Sequence, residues 1–272
     1  MGIVPEGDTK VVCGVTLRRD PAREPCYHIV HLHRELEALH LELDAGSSLR
    51  ERIYRDLNAE IQTLEIAAQC LVDFPEAPWE LRLELARQCW DEVRHAGLLD
   101  RHLQELGSWK GEFPIANLDW SVVCMLDSLP ARLAVQHRTF EAGSLDLGQV
   151  GVEKFGESDD QKERELAALT EAIDADEVAH VRFANEWLKR FAKEDPRTVL
   201  QVASAMRWLK QVVEATGGVL DHTVPTNVGD RSLAGFTPRE IAETQRLERE
   251  LAGELERSKQ EIADASGGGN EN

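Results

Sequence analysis

Two copies of one short pattern, Asp-Glu-Val-x-His, limit what this chain can fold into more than any other feature it has. They are Asp91-Glu92-Val93-Arg94-His95 and Asp176-Glu177-Val178-Ala179-His180. On a helix, residues three apart lie on one face about one turn apart. Glu92 with His95, and Glu177 with His180, can therefore each offer a carboxylate oxygen and an imidazole nitrogen to one metal ion. One Glu-x-x-His would mean little, because the 32 Glu and 9 His of the 272 residues make about one expected by chance. Requiring Asp before the Glu lowers that expectation to roughly 0.07, and the chain has two.

Both pairs interrupt apolar stripes with helical spacing. Leu81, Leu85, Gln88, Glu92, His95 and Leu99 form one stripe; Leu166, Leu169, Ile173, Glu177, His180, Ala184 and Trp187 form another. Ile53, Leu57, Glu60, Leu64, Ala67 and Leu71 make a third, with Glu60 as its single charged member. A carboxylate on a core-facing stripe is costly unless it is paired or holds a metal. His137 and Glu141, four apart, share a face of a further helix.

Helix signals predict an all-α chain. An irregular arm and a first helix from about Tyr27 to Asp44, closed by Gly46, occupy residues 1–47. Residues 48–195 hold four long helices. The first runs from the capping box Ser48-Leu49-Arg50-Glu51 to Phe74, and the second from Pro78 to Gly107. A long connection follows over 107–118, then a third helix from Asp119, broken or kinked at Pro130. The fourth starts at the capping box Ser158-Asp159-Asp160-Gln161 and ends before Pro196. Residues 196–265 form a helical extension, with helices over about 198–215, ended by Gly217-Gly218, and from the capping box Thr237-Pro238-Arg239-Glu240 onward. A disordered tail is expected over 266–272.

A carboxylate-bridged two-metal site in a four-helix bundle takes one Glu from each of two helices and Glu-x-x-His from each of the other two. The four helices supply Glu60, then Glu92 and His95, then Glu141, then Glu177 and His180. Separations of 32 residues from Glu60 to Glu92, and 36 from Glu141 to Glu177, suit two antiparallel hairpins. Glu65 lies about 140° around the helix from Glu60, and Glu35 belongs to the preceding helix, so neither competes for the ligand position. Glu37-Ala38-Leu39-His40, a third Glu-x-x-His, reads as a solvated face.

Over about residues 50–195 the chain resembles the ferritin-like superfamily, and within it a bacterial ferritin-like family without an assigned function. Leu57-Asn58-Ala59-Glu60, Phe74-Pro75, Asp91-Glu92-Val93-Arg94-His95, Phe140-Glu141-Ala142 with Leu145-Asp146, and Asp176-Glu177-Val178-Ala179-His180-Val181 carry the likeness. Asn58 stands where that family often has a histidine. The resemblance implies a ferritin-like bundle in which Glu92 and Glu177 bridge two metals. Glu60 with His95, and Glu141 with His180, would complete the two spheres. Asp91 and Asp176 would each hydrogen-bond the histidine of the other hairpin. His137 would be an extra ligand or a hydrogen-bonded core histidine. Carboxylates with imidazole suit two iron ions, or manganese, or a mixed pair.

These features lead to an expected function: a non-haem di-iron oxidase or oxygenase that activates O2 to oxidise a small molecule, drawing on an electron donor. A substrate pocket near Leu57, Leu64, His137 and Ser144 is expected. The alternatives are a rubrerythrin-like ferroxidase or peroxidase, and a binding or scaffold protein. Rubrerythrins proper add a paired Cys-x-x-Cys iron site, which the five scattered cysteines do not provide. A scaffold gains nothing from six buried ionisable groups. The net charge of −19 argues against a nucleic-acid surface. The absence of an 18-residue apolar run argues against a membrane span. A cytoplasmic protein is the expected setting, with a homodimer as its candidate assembly. Trp90, Trp187 and Trp208 are read as core packing, and Tyr27 and Tyr54 are out of register for radical chemistry.

Overall fold

Apolar stripes at helical spacing become helices almost throughout the computed structural model, which describes residues 4–5, 7–216 and 224–267. The exceptions are two short strand pairs. Strands β1 (Thr9–Val12) and β2 (Val15–Arg18) form an antiparallel hairpin. Cys13 (φ 49°) and Gly14 (φ 80°) supply the positive φ values that its two-residue turn demands. Strand β3 (Ile29–Val30) pairs in parallel with β4 (Ile115–Ala116).

That second pairing corrects the first expected helix. Helix α1 covers only His33–Glu42, because Ile29 and Val30 are taken by a strand partner more than 80 residues away. Helix α2 (Ala45–Asp73) also differs at its start. Asp44, not Ser48, is its cap, with Oδ1 accepting from the Ser47 N–H at 2.9 Å. Gly46 and Ser48 lie inside the helix. Glu51 is buried against His40 and Arg55 instead of reaching back to Ser48.

Helix α2 stops before Phe74-Pro75, and helix α3 (Trp79–Glu105) starts after Pro78 and ends at Gly107 in the left-handed region. The two helices pack along their length as a hairpin. The connection from Gly107 leads through β4 to α4 (Leu118–Val123) and α5 (Leu129–Val135). Pro130 sits in the first turn of α5, where its missing N–H costs nothing, so it begins a helix and does not kink one. Residues 136–141 form a π-helical segment that runs into α6 (Ala142–Gly156).

Helix α7 (Gln161–Glu194) pairs with α6 as a second hairpin. A Cβ on Gly148 would lie 2.2 Å from Asp174 Oδ2, so this glycine permits the close approach of α6 and α7. The cap of α7 is Asp160, which accepts from the Lys162 N–H at 2.8 Å; Ser158 bonds Glu163 instead. Helices α8 (Arg197–Thr216), α9 (Val228–Leu233) and α10 (Pro238–Gly267) follow. The Thr237 capping box forms as expected, with Thr237 N–H to Glu240 Oε2 at 2.8 Å and Glu240 N–H to Thr237 Oγ at 3.3 Å. Gly217-Gly218 lie outside the described residues, as does the expected disordered tail from 268 onward; residues 266 and 267 belong to α10. Among the described residues, no helix is long and apolar enough to cross a membrane.

Two apolar clusters flank a polar layer. Ile66, Leu81, Leu85, Phe183 and Trp187 belong to one, and Ile53, Leu99, Leu103 and Ile173 to the other. Along α2, α3 and α7 the residues between these clusters are Glu60, Glu92, His95, Glu177 and His180. Each fully buried leucine or isoleucine contributes roughly 1.5–3 kcal/mol, and packing on both sides offsets the desolvation of the layer between.

Candidate metal centre

Four helical segments bring the six sequence-derived ligands together. Glu60 comes from α2, Glu92 and His95 from α3, Glu141 from the π-helical segment, and Glu177 and His180 from α7. They form two groups of four, Glu60-Glu92-His95-Glu177 and Glu92-Glu141-Glu177-His180, and within each the ligand atoms lie within 4.8 Å of one another. Glu92 and Glu177 belong to both. The cluster is buried, and Glu60 is its most open member at 15% side-chain exposure.

Both histidines turn Nδ1 inward. His95 Nδ1 lies 3.2 Å from Glu60, 3.2 Å from Glu92 and 3.5 Å from Glu177. His180 Nδ1 lies 3.3 Å from Glu92 and 3.5 Å from Glu177. Their Nε2 atoms point to acids on the opposite hairpin. His95 Nε2 is 3.2 Å from Asp176 Oδ2, and His180 Nε2 is 3.3 Å from Asp91 Oδ2. An Nε2–H donated to aspartate leaves the Nδ1 lone pair free for a cation and fixes the ring orientation. The crossed pairing expected of Asp91 and Asp176 is thus present. Arg94 ties the two acids together, donating to Asp91 at 3.3 Å and to Asp176. Asp91→Asn and Asp176→Asn should keep the helices but lower metal affinity roughly 10–100-fold. Unchanged affinity in both variants would make these aspartates ordinary helix acids.

The donor set fits divalent cations. Glu141 Oε2, Glu177 Oε1 and His180 Nδ1 are buried without a hydrogen-bond partner. Four carboxylates with neutral imidazoles carry four negative charges, which two divalent ions would cancel. Without metal, the charge is accommodated by protons. Burial pushes Glu60, Glu141 and Glu177 up, and the neighbouring carboxylates add to the effect. Burial also opposes the charge on the histidines, but Glu60 and Glu92 outweigh it for His95 and hold it at about 11. Glu177 and Glu92 hold His180 at about 12. Glu92 runs against its own burial and is lowered, because the positive charge of both histidines beside it favours its ionised form.

His137 is absent from both groups. Its Nε2 is 2.9 Å from Gln88 Oε1 and 3.9 Å from Glu141, its ring meets Phe183 edge-on at 5.0 Å, and burial pushes it down to about 3. A neutral His137 donates to Gln88, whose amide donates in turn to Glu141 at 2.7 Å and Glu92 at 3.2 Å. In this arrangement His137 is hydrogen-bonded in the core through Nε2 and lies in neither ligand group. Gln88, Gln136 and Arg94 carry roles that the sequence reading missed. Gln88 had a visible signal, a buried amide on the ligand stripe one turn before Glu92. Gln136, bonded to Thr63 at 3.1 Å and Glu141 at 3.4 Å, had none.

The competing acids are otherwise engaged. Glu65 takes a two-pronged bond from Arg23 at 2.6 and 2.7 Å, and Glu35 caps α1 by accepting from the Leu32 N–H at 3.1 Å. Glu37 pairs with Arg55, and His40 with Glu51 and Ser48, so the third Glu-x-x-His joins none of the metal-capable groups among the described residues. His102, Glu105 and Glu165 also cluster, but Lys162 sits between the two acids at 2.7 and 3.0 Å. Tyr54 is occupied in accepting from the Gly111 N–H. Trp187 is buried and Trp208 packs against the core, whereas Trp90 is 62% exposed, with Arg94 over its ring. Trp90 follows the α3 register onto the outer face, which corrects its assignment to the core. The expected pocket is also corrected: Ser144 lines one cavity and Leu57 another, and neither Leu64 nor His137 lines either.

Fold and site together define a mostly helical protein with buried Glu–His groups able to hold metal ions. The chain belongs to the family DUF455, described as proteins of unknown function, whose model matches residues 18–242. No curated protein and no solved structure matches it.

Proposed function

We infer that this is a ferritin-like, carboxylate-bridged two-metal protein acting as a non-haem di-iron oxidase or oxygenase on a small molecule. The observation that carries the reading is the sharing of Glu92 and Glu177 between two otherwise separate ligand groups. Iron, or manganese in its place, suits this hard donor set, and no cysteine belongs to either group. Bound iron would supply the electrons that reduce O2, with an external donor restoring them. The chain's own residues do the rest. Asp91 and Asp176 keep the imidazole Nε2 protons, Gln88 orients Glu141 and Glu92, and the flanking apolar clusters exclude water. The six ligands would be costly to retain in a pure scaffold.

The reduced, iron-loaded protein is expected to consume O2 in one stoichiometric turnover and then stop without a donor. Continued oxidation of excess Fe(II) into a soluble mineral particle would favour a ferroxidase instead.

A further inference from the structure

The π-helical segment has a second face. His137 and Glu141 serve the metal cluster, while Arg138, Thr139 and Phe140 line a cavity of about 910 Å³. Helices α4, α6, α7, α8 and α10 line it, and Leu188, Met206, Leu209 and Leu247 make much of its wall apolar. Pockets of roughly 300–1,000 Å³ suit small organic ligands.

The charged residues on that wall are matched, with one exception. Arg138 pairs with Glu240 at 2.5 Å, and Arg231 with Asp146 at 2.6 Å. Lys189 donates to the Gly235 carbonyl at 2.9 Å and is solvent-exposed, so it belongs to the rim. Asp119 on α4 lines the cavity half-buried and has no hydrogen bond or ion pair among the described residues. Burial alone raises its carboxyl to about 6. A half-buried carboxylate with no partner in a largely apolar wall is partly desolvated, and a cation brought by a ligand would offset that cost. A carboxylate ligand would have only solvated Lys189 to meet, where an ion pair contributes little.

We propose that this cavity is a binding site for an apolar small molecule carrying a protonated amine, with Asp119 receiving the ammonium group. Calling that molecule the substrate rests on the di-iron reading, since the two sites share one segment; its binding does not.

Decylamine, decanol and decanoate, each titrated calorimetrically into metal-free and iron-loaded full-length protein, test this. Decylamine should bind at least about tenfold more tightly than the other two, as expected for one charge-assisted hydrogen bond. Asp119→Asn should abolish that preference and leave decanol binding unchanged, and Val202→Trp, which fills the cavity, should weaken all three. A chain of charge −19 attracts any cation weakly, so the decisive comparison is wild type against Asp119→Asn. Equal binding of the three probes, no binding of any, or an Asp119→Asn protein that keeps the amine preference would overturn the proposal. Iron content of the same samples separates the two readings. Two irons without amine binding contradict the cavity site alone, and amine binding without iron contradicts the di-iron reading alone.

Discussion

Glu92→Ala is expected to lose both metal ions. One carboxylate oxygen lies 3.3 Å from His180 Nδ1 and the other 3.2 Å from His95 Nδ1, so this side chain serves each ligand group with a different atom. Its removal leaves three ligands in each group. It also strips both charged histidines of a counterion, and breaking such a buried pair costs about 3–5 kcal/mol. Glu141→Gln provides the contrast. Glu141 belongs to one group only, and burial already favours its neutral form, so a neutral amide should leave the metal-free fold about as stable. That variant should lose one ion and keep the other. Metal analysis beside thermal unfolding followed by circular dichroism reads both effects. Equal losses in the two variants would show that Glu92 is not shared.

Metal loading should release protons, and its affinity should rise steeply with pH. His95 and His180, held at about 11 and about 12, are both charged at pH 7 in the metal-free protein. As groups raised above the ordinary histidine value, they stabilise the metal-free fold fully below about pH 6.5, and that contribution falls progressively above it until it is gone once pH passes about 11 and about 12. A cation at Nδ1 must displace each proton. Glu60, Glu141 and Glu177, raised by burial, add to the release, whereas the lowered Glu92 adds none. Two or more protons per loaded chain correspond to an affinity gain of roughly 100-fold per pH unit near neutrality. Loading in weak buffer with a pH indicator measures this directly. Release of fewer than one proton would mean that the histidines are not ligands.

Much of this was legible in the sequence, for a physical reason. Glu92, His95, Glu177 and His180 were visible because charge on an apolar helical stripe is costly, and their repetition with a preceding Asp made chance an unlikely source. Glu60 stood out by register alone. Helix ends marked by Phe74-Pro75, Gly107 and Pro196 were legible because proline and glycine act locally. The rest depends on partners distant in sequence. Ile29-Val30 fits a leucine-rich helical pattern until Ile115-Ala116 arrives to pair with it. Ser48-to-Glu51 matches a capping box, but Asp44 offers a competing cap one turn earlier. Nothing in Gln136–Glu141 announces a π-helical turn, since residue types do not encode the extra residue in the loop. The bonds of Gln88 and Arg94 arise only once both hairpins are in place.

Anaerobic titration of the metal-free chain with Fe(II), followed by removal of unbound iron, tests the central claim most directly. Two tightly held irons per chain are predicted, falling to about one in Glu141→Gln and close to none in Glu92→Ala. Less than one iron per wild-type chain, or iron retained undiminished in Glu92→Ala, would contradict the account.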